Sequence, residues 1–252
     1  MTVMCSRGVG FMEIIVSENY ESMSRMAADL IVECISEDPD CVLGLATGST
    51  PIGLYQDLVS DYECGKVSFK DVTTFNLDEY VGLSDENVQS YRHFMNEHLF
   101  DRVDIDIANT FVPSGVMTNL EGACDEYEQA ICDAGGIDLQ LLGLGHNGHI
   151  GFNEPARVFP KATHEVDLTE STIDANSRLF DSKDEVPRQA ITMGIGTIMA
   201  ARKIVVVANG KDKADIVRRA FLGDVTPEVP ASILQFHPDV TVFVDEEAGA
   251  DL

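Results

Sequence analysis

Short runs rich in β-branched residues alternate with amphipathic stretches along nearly the whole chain, and this alternation restricts the fold more than any other feature of the sequence. Strands separated by helices pair in parallel, and a parallel sheet is stable only when helices cover both of its faces. The expected class is therefore α/β. Strands are expected at Met12 to Val16, Val42 to Ala46, about Val72 to Leu77, Leu139 to Leu144, Lys203 to Ala208 and Val240 to Val244. The first helix is signalled by Met23, Met26, Ala27, Leu30, Ile31, Cys34 and Ile35 at helical spacing, with the methionines read as packing. A second follows Pro51, which suits a first helical turn, and carries Ile52, Leu54, Tyr55, Leu58 and Val59. Further helices are expected over Tyr91 to Phe100, Asn119 to Cys132 and Lys211 to Phe221.

A chain of 252 residues can bury one large core, so a single domain over 1–252 is expected. Residues 1–11 show no pattern and are expected to be a poorly ordered extension, with Met12 a second candidate for the start of translation. Residues 157–186 are polar and follow neither a period of two nor one of about 3.6, which reads as a mobile lid.

Forty-three acidic against seventeen basic residues give a formal charge of -26, which would repel a nucleic-acid backbone and an anionic membrane alike. No nucleic-acid or membrane partner is expected. An anionic small molecule remains compatible, because exposed charges are screened over about 8 Å while a local cradle of donors acts at contact. Cys5, Cys34, Cys41, Cys64, Cys124 and Cys132 form no Cys-x-x-Cys pair and read as reduced thiols. The early apolar stretch is broken by Glu13 and lacks a cleavage pattern, and no apolar run is long enough to span a bilayer, so a cytoplasmic protein is expected. Interface and core cannot be separated by pattern alone, which leaves a homo-oligomer open.

Three motifs follow expected strands, at the edge where open parallel sheets bind ligands. In Ala46-Thr47-Gly48-Ser49-Thr50-Pro51, Gly48 permits close backbone approach, and Thr47, Ser49 and Thr50 with the N–H groups at a helix start suit a phosphate. The segment is not a Walker loop, and taken alone it fits a capped turn equally well. In Asn76-Leu77-Asp78-Glu79-Tyr80, two acids directly follow an apolar strand. Asp78 there is either an exposed turn carboxylate or a general base over a pocket. In Gly143 to Pro155, His149 and Glu154 share one glycine-rich segment, an arrangement suited to proton transfer although a turn histidine is often structural. The spacing of His146 and His149 is not the helical His-Glu-x-x-His pattern, and no metal site is expected.

Together these strings resemble the glucosamine-6-phosphate deaminase (glucosamine-6-phosphate isomerase) family over about Met12 to Asp245. They are Leu-Ala-Thr-Gly-Ser-Thr-Pro at 45 to 51, Thr-Phe-Asn-Leu-Asp-Glu-Tyr-Val-Gly-Leu at 74 to 83 and Gly-His-Asn-Gly-His-Ile-Gly-Phe-Asn-Glu-Pro at 145 to 155, with Ala-Asn-Ser-Arg at 175 to 178 and Met-Gly-Ile-Gly-Thr at 193 to 197. The resemblance implies a Rossmann-like, open and mostly parallel sheet of the sugar-phosphate isomerase type. It implies conversion of glucosamine 6-phosphate and water to fructose 6-phosphate and ammonia, with no cofactor. By matching position, His149 opens the sugar ring with Asn147 and Glu154 orienting it, and Asp78 moves a proton from C2 to C1. Thr47, Gly48, Ser49 and Thr50 hold the phosphate, capped by Arg178 and Lys213. Relatives with an allosteric site carry basic residues where this chain has Thr163-His164-Glu165-Val166, which implies that such activation is lacking. The alternatives are a 6-phosphogluconolactonase-like hydrolase, which would not need Asp78 as a base, and a non-catalytic sugar-phosphate-sensing domain, which would need a DNA-binding module that is not evident here.

Overall fold

A computed structural model describes residues 2–5, 11–177, 180 and 182–252. Its centre is a sheet of eight strands in the order β1-β2-β11-β10-β7-β3-β4-β6. These are β1 (Thr2–Cys5), β2 (Phe11–Ser17), β3 (Val42–Leu45), β4 (Thr73–Asn76), β6 (Thr110–Phe111), β7 (Leu139–Gly143), β10 (Lys203–Ala208) and β11 (Asp239–Asp245). Every pairing from β2 to β6 is parallel, as the alternating pattern requires. A second sheet of three antiparallel strands, in the order β5-β9-β8, joins β5 (Asp78–Tyr80), β8 (His164–Asp167) and β9 (Gln189–Thr192).

The helices are α1 (Tyr20–Glu37), α2 (Ile52–Glu63), α3 (Tyr91–His98), α4 (Leu120–Asp133), α5 (Glu170–Asn176), α6 (Ile195–Met199) and α7 (Ala214–Leu222). Crossovers between parallel strands are right-handed. Connections that step from β2 through β3 to β4 therefore place α1 and α2 on one face. Those that step back from β7 through β10 to β11 place α6 and α7 on the other. No helix of the described residues is long and apolar enough to cross a membrane.

Helix α1 illustrates how sequence becomes packing. Asn19 caps it by accepting from the Ser22 N–H at 2.8 Å, and Met23, Ala27, Ala28, Ile31, Val32 and Ile35 are buried. Each large apolar side chain on that face contributes roughly 1.5–3 kcal/mol of transfer free energy. Met26 was expected in the same face but is 38% exposed, and Leu30 and Cys34 are only partly buried. At about 100° per residue, 26, 30 and 34 form a neighbouring stripe at the rim of the contact.

Two stretches that carry no periodic signal contain regular elements. Residues 1–11 are not wholly without structure, because Thr2–Cys5 pair antiparallel with β2, Thr2 opposite Ile15 and Cys5 opposite Met12. Such a strand carries no periodic signal when it only covers a sheet edge. The aperiodic stretch 157–186 contains β8 and α5, and β8 pairs with β9 from His164 opposite Thr192 to Asp167 opposite Gln189. Strands of three or four mixed residues are too short for period-two alternation to register.

Leu77 is where the chain passes from one sheet to the other. Its N–H donates to Leu45 O in the main sheet at 3.0 Å, and its carbonyl accepts from Met193 N beside the small sheet at 2.7 Å. Asp78 and Glu79 then point to opposite sides, as successive strand residues must. Glu79, 2% exposed, accepts from Tyr80 N at 2.8 Å and from Tyr91 N and Arg92 N at 3.0 Å each, which ties the start of α3 to β5. Replacing Glu79 by Ala strips three backbone donors of their acceptor, and should lower the free energy of unfolding by roughly 2–4 kcal/mol in urea titration. An unchanged urea midpoint would show that the cap carries no stability.

Candidate active site

Strands β3 and β7 are neighbours whose following connections leave on opposite faces, the arrangement that opens a crevice at the carboxyl end of a parallel sheet. Their ladder stops early, with only Leu43 opposite Leu139 and Gly44 opposite Gln140. A cavity of about 530 Å³ lies beyond that point. Thr47, Gly48, Ser49 and Thr50 line it from the loop after β3, Asp78 from the start of β5, Asn147 and His149 from the loop after β7, and Lys213 from the connection after β10. These eight candidates from four separate segments are thus brought together. Arg178 lies outside the described residues.

The turn after β3 is held from three sides. Gly48 has φ +99°, a conformation costly for other residues. Tyr20 on α1 donates to Thr50 O at 3.0 Å and accepts from Gly53 N at 2.8 Å, while the buried Tyr55 hydroxyl donates to Ala46 O at 2.6 Å. Thr50 Oγ1 donates to Asn209 Oδ1 at 2.8 Å, and the neighbouring Gly210 N–H donates to the Asp245 carboxylate at 3.0 Å. Among the described residues, the N–H groups of Gly48, Ser49 and Thr50 have no acceptor within the chain, so an anion has donors waiting just ahead of α2. Lys213 is the only lysine or arginine among the described lining residues. Its Nζ donates to Leu144 O at 2.7 Å, and burial lowers its pKa. An ammonium that is partly desolvated gains much from an incoming anion. At the rim, His146 Nε2 pairs with Asp212 Oδ2 across the loops after β7 and β10. Tyr20 and Asn209 were not singled out in the sequence, since neither lies in a glycine-rich motif.

Asp78 is 6% exposed, and none of the described residues hydrogen-bonds its carboxylate. Burial, and then the negative charge of Glu79, push its pKa up to about 8. Gly151, with φ +56°, leaves room beside it, for a Cβ there would lie 3.4 Å from Asp78 Oδ2 and 2.8 Å from Thr192 Oγ1. Tyr91 and Phe152 form an aromatic wall of the same cavity, their rings stacked at 6.1 Å. The Tyr91 hydroxyl donates to Tyr80 Oη at 3.2 Å. Tyr91 was expected only as a helix start.

The third motif folds into a tight turn in which Gly145 N donates to His149 O at 2.9 Å. A side chain at 145 would meet the His149 ring at 2.3 Å, which explains the glycine. His149 Nδ1 lies 3.5 Å from Glu154 Oε2, beyond a normal hydrogen bond but close enough for an ion pair. Asn147 Nδ2 donates to the same Oε2 at 2.5 Å, and Asn147 Oδ1 accepts from His149 N at 3.2 Å. Thr172 Oγ1 on α5 donates to Glu154 Oε1 at 2.5 Å. Burial alone would raise the Glu154 carboxyl, but His149, Thr172 and Asn147 together hold it at about 2. One carboxylate is thus kept ready to hold a proton and the other kept ionised, the division that acid–base chemistry needs.

The chain matches the family model described as glucosamine-6-phosphate isomerases/6-phosphogluconolactonase over residues 17–243. It is 55% identical over 238 residues to a glucosamine-6-phosphate deaminase of Clostridium perfringens (strain 13 / Type A), covering 94% of this chain and 98% of that one. A solved structure described as a monomeric glucosamine-6-phosphate deaminase superposes with a TM-score of 0.93 at 44% identity, over 95% of this chain and 99% of the other. A 6-phosphogluconolactonase from Trypanosoma cruzi superposes with a TM-score of 0.75 at 21% identity, over 95% and 96% of the two chains, a likeness of fold alone.

Two outcomes follow from the carboxylates. The pKa of Asp78 is raised from 3.8 to about 8, so its contribution to stability is fully present below about pH 3.8 and lost as pH rises toward 8. Asp78→Asn should therefore unfold at higher denaturant than the parent, with a gap that widens between pH 4 and 8 to several kcal/mol, on the order of 5. A constant gap across that range would mean that Asp78 is not desolvated. Asn147→Asp sets a second carboxylate against Glu154, so one of the pair must take up a proton. The acid limb of the rate profile should then move up by about one unit, whereas an unmoved limb would remove Asn147 from the relay.

Proposed function

Because this chain belongs to the family of glucosamine-6-phosphate isomerases and 6-phosphogluconolactonases, and its crevice joins an anion turn to a buried base and a histidine–glutamate pair, we propose that it converts glucosamine 6-phosphate and water to fructose 6-phosphate and ammonia. The observation that carries this reading is Asp78, a buried carboxylate that faces the cavity and has no hydrogen-bond partner among the described residues. Hydrolysis of a sugar lactone has no use for a base at C2, and a sensing domain has no use for a buried carboxylate that destabilises the fold.

The phosphate is held by the N–H groups and hydroxyls of Thr47 to Thr50, with Lys213 turning from Leu144 O and Arg178 completing the charge. His149 passes a proton between the ring oxygen and the C1 hydroxyl, which opens the pyranose. Ionised Glu154, with Oε2 3.5 Å from His149 Nδ1, keeps the ring orientated for that transfer. Asp78 takes the C2 proton to give an enolamine and returns it to C1, leaving an imine at C2. Water adds there and ammonia leaves. A base with pKa near 8 is well matched to a carbon acid, and the ammonium on C2 favours the ionised carboxylate once substrate is bound. The sequence of steps moves protons, water and ammonia with no net change in oxidation level, so its balance calls for no electron carrier. Thr172 on α5 lines one side of the cavity.

The purified chain, given glucosamine 6-phosphate, should release ammonia and fructose 6-phosphate in equal amounts, with or without a chelator. Asp78→Asn should lose roughly 10²–10⁴-fold in kcat. If neither product forms while a 6-phosphogluconolactone is hydrolysed, the deaminase reading falls and the hydrolase reading replaces it.

A further inference from the structure

Glu154 lies in the loop between Asn153 and Pro155, so no helix or strand dictates where its carboxylate points. The terminal torsion of a glutamate is broad and nearly two-fold, and only partners can hold it. Those partners divide by oxygen. Oε2 faces the loop after β7, with Asn147 Nδ2 at 2.5 Å and His149 Nδ1 at 3.5 Å. Oε1 faces α5, with Thr172 Oγ1 at 2.5 Å and Thr169 Oγ1 at 3.4 Å. We propose that Thr172 is a positioning residue for the proton relay, its hydroxyl fixing the rotation of Glu154 so that Oε2 stays aimed at His149.

Several features suit Thr172 to this task. It is buried, and its β-branched side chain is stiff about χ1 on a helix. The Thr169 hydroxyl, which caps α5, lies 3.0 Å from Thr172 Oγ1 and accepts from Thr172 N at 3.3 Å, so the two threonines form a short chain ending at the carboxylate. The helix itself is seated by Leu168 and Ile173, buried against Tyr80, Phe152, Val186 and Ala190. Relay geometry therefore depends on α5 being docked in the second apolar cluster. The charged residues of α5, Glu170 and Asp174, are exposed, and Glu170 Oε1 lies 3.7 Å from Arg188. His149 is thus the one titratable group that faces the Glu154 carboxylate among the described residues.

The assignment rests on the acid–base reading of His149 and Glu154, and the test separates the two. Thr172→Val keeps the shape and deletes the donor. It should lower kcat about tenfold while KM stays within about threefold, the signature of a group that serves the chemical step. With one donor lost, the depressed Glu154 pKa rises toward its ordinary value, and the acid limb of kcat should move up by about one unit. Thr172→Ser should recover most of the loss, which a packing role for the methyl group would not predict. If Thr172→Val does not fold, Thr172→Ala beside Thr172→Ser supplies the same comparison. Wild-type kcat with an unmoved acid limb, or a serine variant no better than valine, overturns the assignment. Glu154→Gln is run in parallel. A crippled Glu154→Gln beside a normal Thr172→Val sinks only the role of Thr172, whereas a fully active Glu154→Gln sinks the relay itself.

Discussion

A buried carboxylate that none of the described residues hydrogen-bonds is the constraint around which the crevice is arranged. Asp78 occupies that position because the chain leaves the main sheet at Leu77 and enters the small antiparallel one, so the first residue of β5 is roofed by both. Each element nearby is compatible with that environment. Gly151 stays out of the way, Tyr91 and Phe152 supply apolar walls, and the neighbouring acid Glu79 is turned aside and spent on the start of α3. The cost is borne by the rest of the fold, where long apolar strands are buried on both faces of the sheet.

The second acid shows the opposite treatment. Glu154 is also substantially buried, yet donors on both of its oxygens keep it ionised. Two carboxyls of similar intrinsic acidity therefore differ by several pKa units within one small site, purely through what surrounds them. The phosphate turn follows the same logic of support from a distance. Its hydroxyls and free N–H groups come from one short motif, but Tyr20, Tyr55 and Asn209 hold that motif in shape, and they arrive from α1, α2 and the loop after β10. Mutations at such supporting positions act through geometry rather than through charge.

Much of the architecture was legible beforehand. The strand over Lys203–Ala208 has the expected bounds, Val42–Leu45 is one residue shorter at its end, and Phe11–Ser17 and Asp239–Asp245 are each one residue longer at both ends. These segments combine β-branched residues with burial on both sides, so local pattern and tertiary environment agree. The small sheet was not legible. His164-Glu165-Val166-Asp167 mixes charge and one apolar residue, and it becomes a strand only because β9 offers it a partner. The same holds for Thr2–Cys5 at the sheet edge.

By itself, the sequence determined the class of fold, the strand ends from which the site is built, and the chemical types available there: hydroxyls and glycines at 47–50, an acid at 78, and a histidine with a glutamate at 149 and 154. Those properties are local, set by periodicity and by which residues follow a strand. What the tertiary structure alone decided is the state of each group. Whether Asp78 is solvated in a turn or buried over a cavity depends on its pairing with β9, far along the chain. Whether Glu154 is orientated depends on a helix that shows no period of its own. Desolvation and hydrogen bonding are properties of neighbours in space, and for each of these two acids part of that neighbourhood comes from an element that the local pattern does not announce.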